Sequence, residues 1–201
     1  MNYQSYKITT MNLVDRAKNI ILKPKDEWTL IDQEDTSVFM LYVSYLFPLA
    51  LITSFAAFLG WGIFGSGFIC PVFSLGVKWA IITFISIIAG TIASTIIINE
   101  LALNFGSTKD LRKVSQLVIY AFTPMLLAGI FQAIPALSIL SIVGLYSLYL
   151  LYVGLKPMMK TPEDKQMLYY IVSILVSIAV YVIALKILKL LIIGRTVLQY
   201  P

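Results

Sequence analysis

Val114 to Leu155 reads VSQLVIYAFTPMLLAGIFQAIPALSILSIVGLYSLYLLYVGL and contains no Lys, Arg, Asp or Glu. The stretch breaks once, at Ala133-Ile134-Pro135-Ala136, into two apolar arms of roughly 20 residues, the length an α-helix needs to cross about 30 Å of hydrocarbon. A helical hairpin in water would need a solvated face, and the only polar residues here are Ser, Thr, Tyr and Gln. Two membrane-crossing helices joined by a tight turn follow from this.

The rest of the chain agrees. Of 201 residues, 59% are hydrophobic and 12% charged, against about 25% charge in a soluble domain. There is no histidine, which removes the commonest general base and transition-metal ligand. The single cysteine, Cys70, has no partner for a disulfide within the chain and reads as a small apolar filler. No cofactor and no metal are expected. The net charge of +5 is split among short segments between apolar stretches, so it speaks to topology and not to nucleic acid.

Four further features organise the N-terminal side. Leu13, Val14, Ala17, Ile20 and Ile21 recur on one face of a predicted helix, with Asp15, Arg16, Lys18 and Asn19 assigned to the other. This makes an amphipathic helix that either lies on the headgroups or folds back onto the bundle. Asn12 is placed to cap it. Pro24 ends that helix and starts another through Trp28, whose ring is expected to dip toward the membrane interface. Asp32, Glu34 and Asp35 form an acidic run that reads as a solvated face.

The first span is read from Val38 to about Phe64 and carries Pro48, where a bend is expected. The second runs from about Trp79 to Ile98, with Ser86, Gly90 and Ser94 as a small-residue stripe suited to close helix approach. Glu100 abuts its end. Either it serves a proton or a substrate, or it is an interfacial carboxylate facing water or paired with Arg112 or Lys113; its place at the end of the span favours the second reading. Spans three and four are the opening hairpin, with a bend expected at Pro124 and an end at Pro157. Tyr146, Tyr149 and Tyr152 follow one another at intervals of three, as packing residues or as the lining of a ligand cavity. The fifth span is read from about Met167 to Leu185.

The predicted fold is therefore all-α: a polytopic membrane bundle of five transmembrane helices preceded by an amphipathic N-terminal helix. It divides into an N-terminal segment 1–36, a five-helix domain 37–194 and a tail 195–201. Placing the N-terminus in the cytoplasm puts eleven of the fifteen Lys and Arg residues on the inner side and four on the outer, which the positive-inside rule selects. The C-terminus then lies on the opposite side.

Several segments resemble the Yip1 family of small five-span membrane proteins, in particular its prokaryotic branch. They are the Pro24-x-x-x-Trp28 element, Tyr120-Ala121-Phe122-Thr123-Pro124, Gly144-Leu145-Tyr146, and Leu151 to Lys156 leading into Met158 to Lys165. The resemblance implies a bacterial inner-membrane protein without enzymatic activity, acting as a scaffold or adaptor in membrane organisation. Eukaryotic members are linked to vesicle traffic and Rab-type GTPases. Their Asp-x-Tyr-Gly-Pro-like element is absent here, where the region reads Lys23-Pro24-Lys25-Asp26-Glu27-Trp28. Expected partners are the lipid bilayer, a cytoplasmic protein and a second copy of the chain, with no nucleic acid. The candidate functional residues are Trp28, Glu100, Arg112, Lys113, Tyr120, Pro124 and Tyr146. The alternative is a small transporter, channel or lipid-handling protein for a neutral or lipidic substrate, suggested by the prolines that interrupt spans one and three.

Overall fold

The computed structural model describes residues 12–64 and 73–192, nearly all of them helical and none in a strand. The expectations for Cys70 and for the 195–201 tail fall outside the described residues. Two short helices come first, α1 (Leu13–Leu22) and α2 (Pro24–Asp32). Five helices long and apolar enough to cross a membrane follow: α3 (Val38–Phe64), α4 (Phe73–Phe105), α5 (Leu111–Ala133), α6 (Pro135–Met159) and α7 (Glu163–Ile192). The chain is an integral, multi-pass helical bundle.

Helix α5 is the hub. It packs against α1, α3, α4 and α6, and its most apolar stretch is 72% buried, against 6% for α7, which lies on the outside along α4 and α6. The uncharged hairpin thus supplies the centre of the bundle mainly through its first arm, with Leu150, Leu151 and Leu155 of the second buried beside it. Its second arm and α7 expose long apolar faces, among them Ile139, Ile142, Leu145, Leu175 and Leu190, as expected of helices solvated by lipid.

Each proline is absorbed locally. Before Pro48, Tyr42–Leu46 widens into a π-helix in which the Phe47 N–H reaches back to the Tyr42 carbonyl, so the ladder changes register where proline cannot donate. Before Pro124, α5 is interrupted at Phe122 and restarts at Thr123. The Met125 N–H beyond the break donates to Ser147 Oγ of α6 at 2.9 Å. Pro157 does not end its helix, which continues to Met159 and closes on Lys160 in the left-handed region.

The hairpin turn differs most from expectation. Ile134 is extended, as the break required, but Gly129–Ala133 and Pro135–Leu145 on either side are 3-10 helices. At about 2.0 Å per residue, against 1.5 Å for an α-helix, they stretch each arm. Span α3 keeps its expected bounds, Val38–Phe64, whereas α4 and α7 are longer than the apolar runs that announced them.

Close approach depends on small residues, since lipid tails offer helices no hydrophobic drive to associate. A Cβ on Gly60 of α3 would sit 2.1 Å from the Gln132 carbonyl oxygen of α5. Gly90 of α4 faces the Tyr181 ring of α7, where a Cβ would come within 3.1 Å of a side-chain carbon, and Ser86 and Ser94 of the same stripe are buried. Hydroxyls add hydrogen bonds across the contacts: Thr53 Oγ1 lies 2.8 Å from the Leu126 carbonyl oxygen, and Tyr45 OH 2.8 Å from Thr123 Oγ1.

Because Gly60 opposes backbone and Gly90 opposes a movable ring, Gly60→Ala should destabilise the bundle by roughly 1–3 kcal/mol, the usual range for overpacking, and Gly90→Ala by less. Thermal unfolding of the two variants in one detergent measures the order; equal midpoints would contradict it.

Candidate functional site

Helices α1 and α2 fold onto the charged end of the spans, α1 against α5 and α2 against α6. What fixes them there is a buried ion cluster. Arg16, 4% exposed, donates to Glu27 at 2.6 Å and to Glu34, which are 3% and 8% exposed. Its guanidinium carbon stands 5.3 Å from the centroid of the Tyr120 ring on α5, and Tyr120 meets Tyr45 of α3 edge-on at 4.9 Å. Four segments converge on one cation: the consecutive α1, α2 and loop after α2, and the distant α5 with α3 behind it.

Arginine keeps its proton in a folded protein and presents a planar fork that two carboxylates can share. The cluster holds one cation and two acidic groups. Burial pushes the Glu27 carboxyl above its usual range, while the charge of Arg16 and its hydrogen bond pull the other way. A carboxyl that binds its proton more tightly in the folded chain adds stability below its unfolded pKa, and that contribution is lost as pH climbs through the folded value.

The acidic run after α2 is not a free solvated face. Asp32 accepts from Lys160 at 2.5 Å and lies 3.7 Å from Lys113, and Asp35 pairs with Arg112 at 2.5 Å. Lys113 also donates to the backbone carbonyls of Asp32 and Glu34. At the start of α5, Asp110 caps the helix by accepting from the Arg112 N–H at 2.9 Å. The loops before α5 and after α6 are tied together by Thr108 N to the Met159 carbonyl at 2.8 Å and by Ser107 Oγ to Thr161 Oγ1 at 2.9 Å. The N-terminal helices and both charged loops therefore form a single layer. A polar cleft of about 230 Å³ in that layer is lined by Asp32 to Thr36 with Arg112, Lys113 and Gln116.

Four of the seven candidate residues meet at this layer, and three do not. Arg112, Lys113 and Tyr120 hold the N-terminal segment as described. Trp28 is wholly buried and does not reach the interface: its indole packs where Gly154 of α6 leaves room, a Cβ there falling 2.7 Å from the ring and 2.6 Å from Leu117. Glu100 stands apart and pairs with Lys109 at 2.7 Å, not with Arg112 or Lys113. Pro124 and Tyr146 line a second, apolar cleft of about 570 Å³ between α5 and α6, closed at one end by Ile21 of α1. The Tyr146 hydroxyl donates to the Ile21 carbonyl at 3.0 Å.

Arg16, Glu27 and Glu34 were not among the candidates. Arg16 follows Leu13 by three residues and precedes Ile20 by four, so helical geometry puts it at the edge of the apolar stripe and not opposite it. That spacing was the available signal. Nothing local distinguishes Glu27 from an ordinary first-turn carboxylate, or Glu34 from its acidic neighbours.

The class of protein is thus a five-span integral membrane bundle with a two-helix N-terminal segment locked onto its charged end. The Yip1 domain model matches residues 18–185, and the chain belongs to the Yip1 family. The match takes in Glu27, Glu34, the first four spans and α7 as far as Leu185, and begins two residues after Arg16. No curated protein and no solved structure matches the chain.

Removing Arg16 strands two buried carboxylates, so Arg16→Met should destabilise by about 3–5 kcal/mol. Glu27→Gln, which mimics the protonated acid, should cost far less and should remove the loss of stability as pH rises through the folded pKa of Glu27. Detergent melts of both variants across the acid range test this; a Glu27→Gln loss as large as that of Arg16→Met would contradict the assignment.

Proposed function

We propose that this Yip1-family protein is a non-enzymatic scaffold or adaptor of the bacterial inner membrane. Its N-terminus is cytoplasmic, its C-terminus lies on the opposite side, and its charged layer is the docking face for a cytoplasmic protein. The observation that carries the reading is the single layer in which α1, α2 and both charged loops are fixed at one end of the bundle. A face built from four separate segments and held by buried charge is preorganised, which lowers the ordering cost of binding. Outside the ion pairs, Asn104, Asp164 and Lys165 are exposed on the loops and helix ends of that face, and Lys109 and Arg112 keep much of their surface in exposed pairs.

The same features argue against chemistry. Both buried carboxylates are engaged by Arg16, and the apolar cleft shares no residue with the ion cluster. Among the described residues no three His, Cys, Asp or Glu side chains are grouped to hold a metal. The alternative, handling of a neutral or lipidic substrate, draws on the apolar cleft beside Pro124; solute flux in vesicles containing the pure protein would favour it over the scaffold.

Two measurements test the proposal. In a Cys70→Ser background, Lys109→Cys should resist a membrane-impermeant maleimide in intact cells and react once the membrane is opened; labelling of intact cells would reverse the topology. Exposed ion pairs such as Lys109–Glu100 and Arg112–Asp35 contribute only about 0–1 kcal/mol, so the Lys109→Ala/Arg112→Ala protein should insert and fold normally. Crosslinking in native membranes should then show loss of a specific partner captured by the parent chain. Unchanged capture would contradict the docking face.

A further inference from the structure

The apolar cleft between α5 and α6 has no part in the charged layer, and its chemistry selects a ligand. Pro124, Leu127, Ala128 and Phe131 of α5 face Ile142, Val143 and Tyr146 of α6, with Ile21 at the end. The one hydroxyl among these side chains, on Tyr146, is already bonded to the Ile21 carbonyl. A polar solute would find nothing to hold it. The volume, about 570 Å³, falls in the range of about 300–1,000 Å³ that houses small ligands.

The depth of the cleft narrows the choice. Pro135–Leu145 is a 3-10 helix, so Tyr146 lies about 22 Å along α6 from Pro135, within about 30 Å of hydrocarbon. The cleft therefore runs inside the acyl region, and Ile21 marks its end toward the charged layer. Met125, Ile130, Ile139 and Leu145, on the same stretches of α5 and α6, are 41–73% exposed, so this part of the bundle borders lipid.

Ile21 also brings charge to that end. Lys18 is one turn earlier on α1, Lys23 forms the turn to α2, and Lys25 is in the first turn of α2. All three are exposed, and none enters an ion pair among the described residues. Their acidic neighbours, Asp15 one turn before Lys18 and Asp26 beside Lys25, each sit in the first turn of a helix, where their charge is already favoured. Every lysine at the charged end of the spans except Lys165 has a carboxylate, whereas these three, on the helices of the charged layer next to the end of the cleft, have none. Lysines there extend toward headgroup level and gain from an anionic lipid.

We propose that the cleft seats one acyl chain of an anionic phospholipid, whose phosphate is held by Lys18, Lys23 and Lys25 at the α1–α2 turn. The site goes beyond the scaffold reading and does not rest on it: lipid occupancy and partner capture are read out separately.

The full chain, reconstituted in nanodiscs of phosphatidylcholine and phosphatidylglycerol and released into the gas phase for native mass spectrometry, should retain one phosphatidylglycerol per monomer. At about five-fold preference per lysine, phosphatidylglycerol should dominate even as the minor lipid. Lys18→Gln/Lys23→Gln/Lys25→Gln changes only exposed side chains and should bring the ratio of the two lipids near that of the bilayer, with one lipid still held. Val143→Trp fills the cleft from a position 59% exposed and should abolish retention of either lipid. If Val143→Trp fails to fold, the lysine variant decides alone. No retained lipid on the parent chain, or a lipid ratio indifferent to the lysines, overturns the proposal. So does a dimer that Val143→Trp converts to monomer, since a second copy would then be the occupant.

Discussion

A guanidinium that cannot release its proton must be matched wherever it is buried, and the arrangement of α1, α2 and the loop after them follows from meeting that demand. Arg16 is carried into the bundle on α1, and two acidic groups from α2 and the following loop are drawn in after it. Either carboxylate alone would neutralise the charge. Two of them, with the face of Tyr120 beside the cation, restrict where α1, α2 and the acidic loop can sit. Buried ion pairs are weak sources of net stability, because desolvation offsets most of the attraction, yet breaking one is costly. Such a cluster is better suited to selecting one packing than to strengthening it.

The remaining charges repeat the selection in a weaker form. Asp32 reaches the loop after α6 through Lys160 and the start of α5 through Lys113, and Asp35 reaches Arg112. These pairs are more exposed than the cluster and add little individually. Together they join the ends of α5 and α6 to a segment that does not cross the membrane. The cleft below shows the opposite chemistry, and Ile21 is the residue at which the two meet.

The long uncharged runs showed the medium, the number of spans and the position of the hairpin turn at Ile134, because twenty apolar residues in a row have few alternatives. They could not show which arm is central, since the arms are equally apolar and only packing distinguishes α5 from α6. The π turn before Pro48 and the 3-10 stretches beside Ile134 were also hidden. A proline announces a missing donor but not how the neighbouring turns will re-pair. Of the candidate residues, Arg112 and Lys113 were found from charge at the foot of a span. Trp28 was placed wrongly, because the pocket it fills is the absent side chain of Gly154, far away in sequence. Arg16 was misassigned by treating a charged residue at the edge of an apolar stripe as part of the polar face.

Helices α1 and α2 are integral to the spans and not a loosely attached extension. Amide hydrogen exchange of the full chain in a lipid nanodisc measures this directly. Amides of α1 and α2 within Arg16–Asp32 should exchange as slowly as those of Val114–Tyr120 in α5, and open together with them. Exchange of α1 and α2 on the timescale of an unstructured peptide, while α5 stays protected, would contradict it.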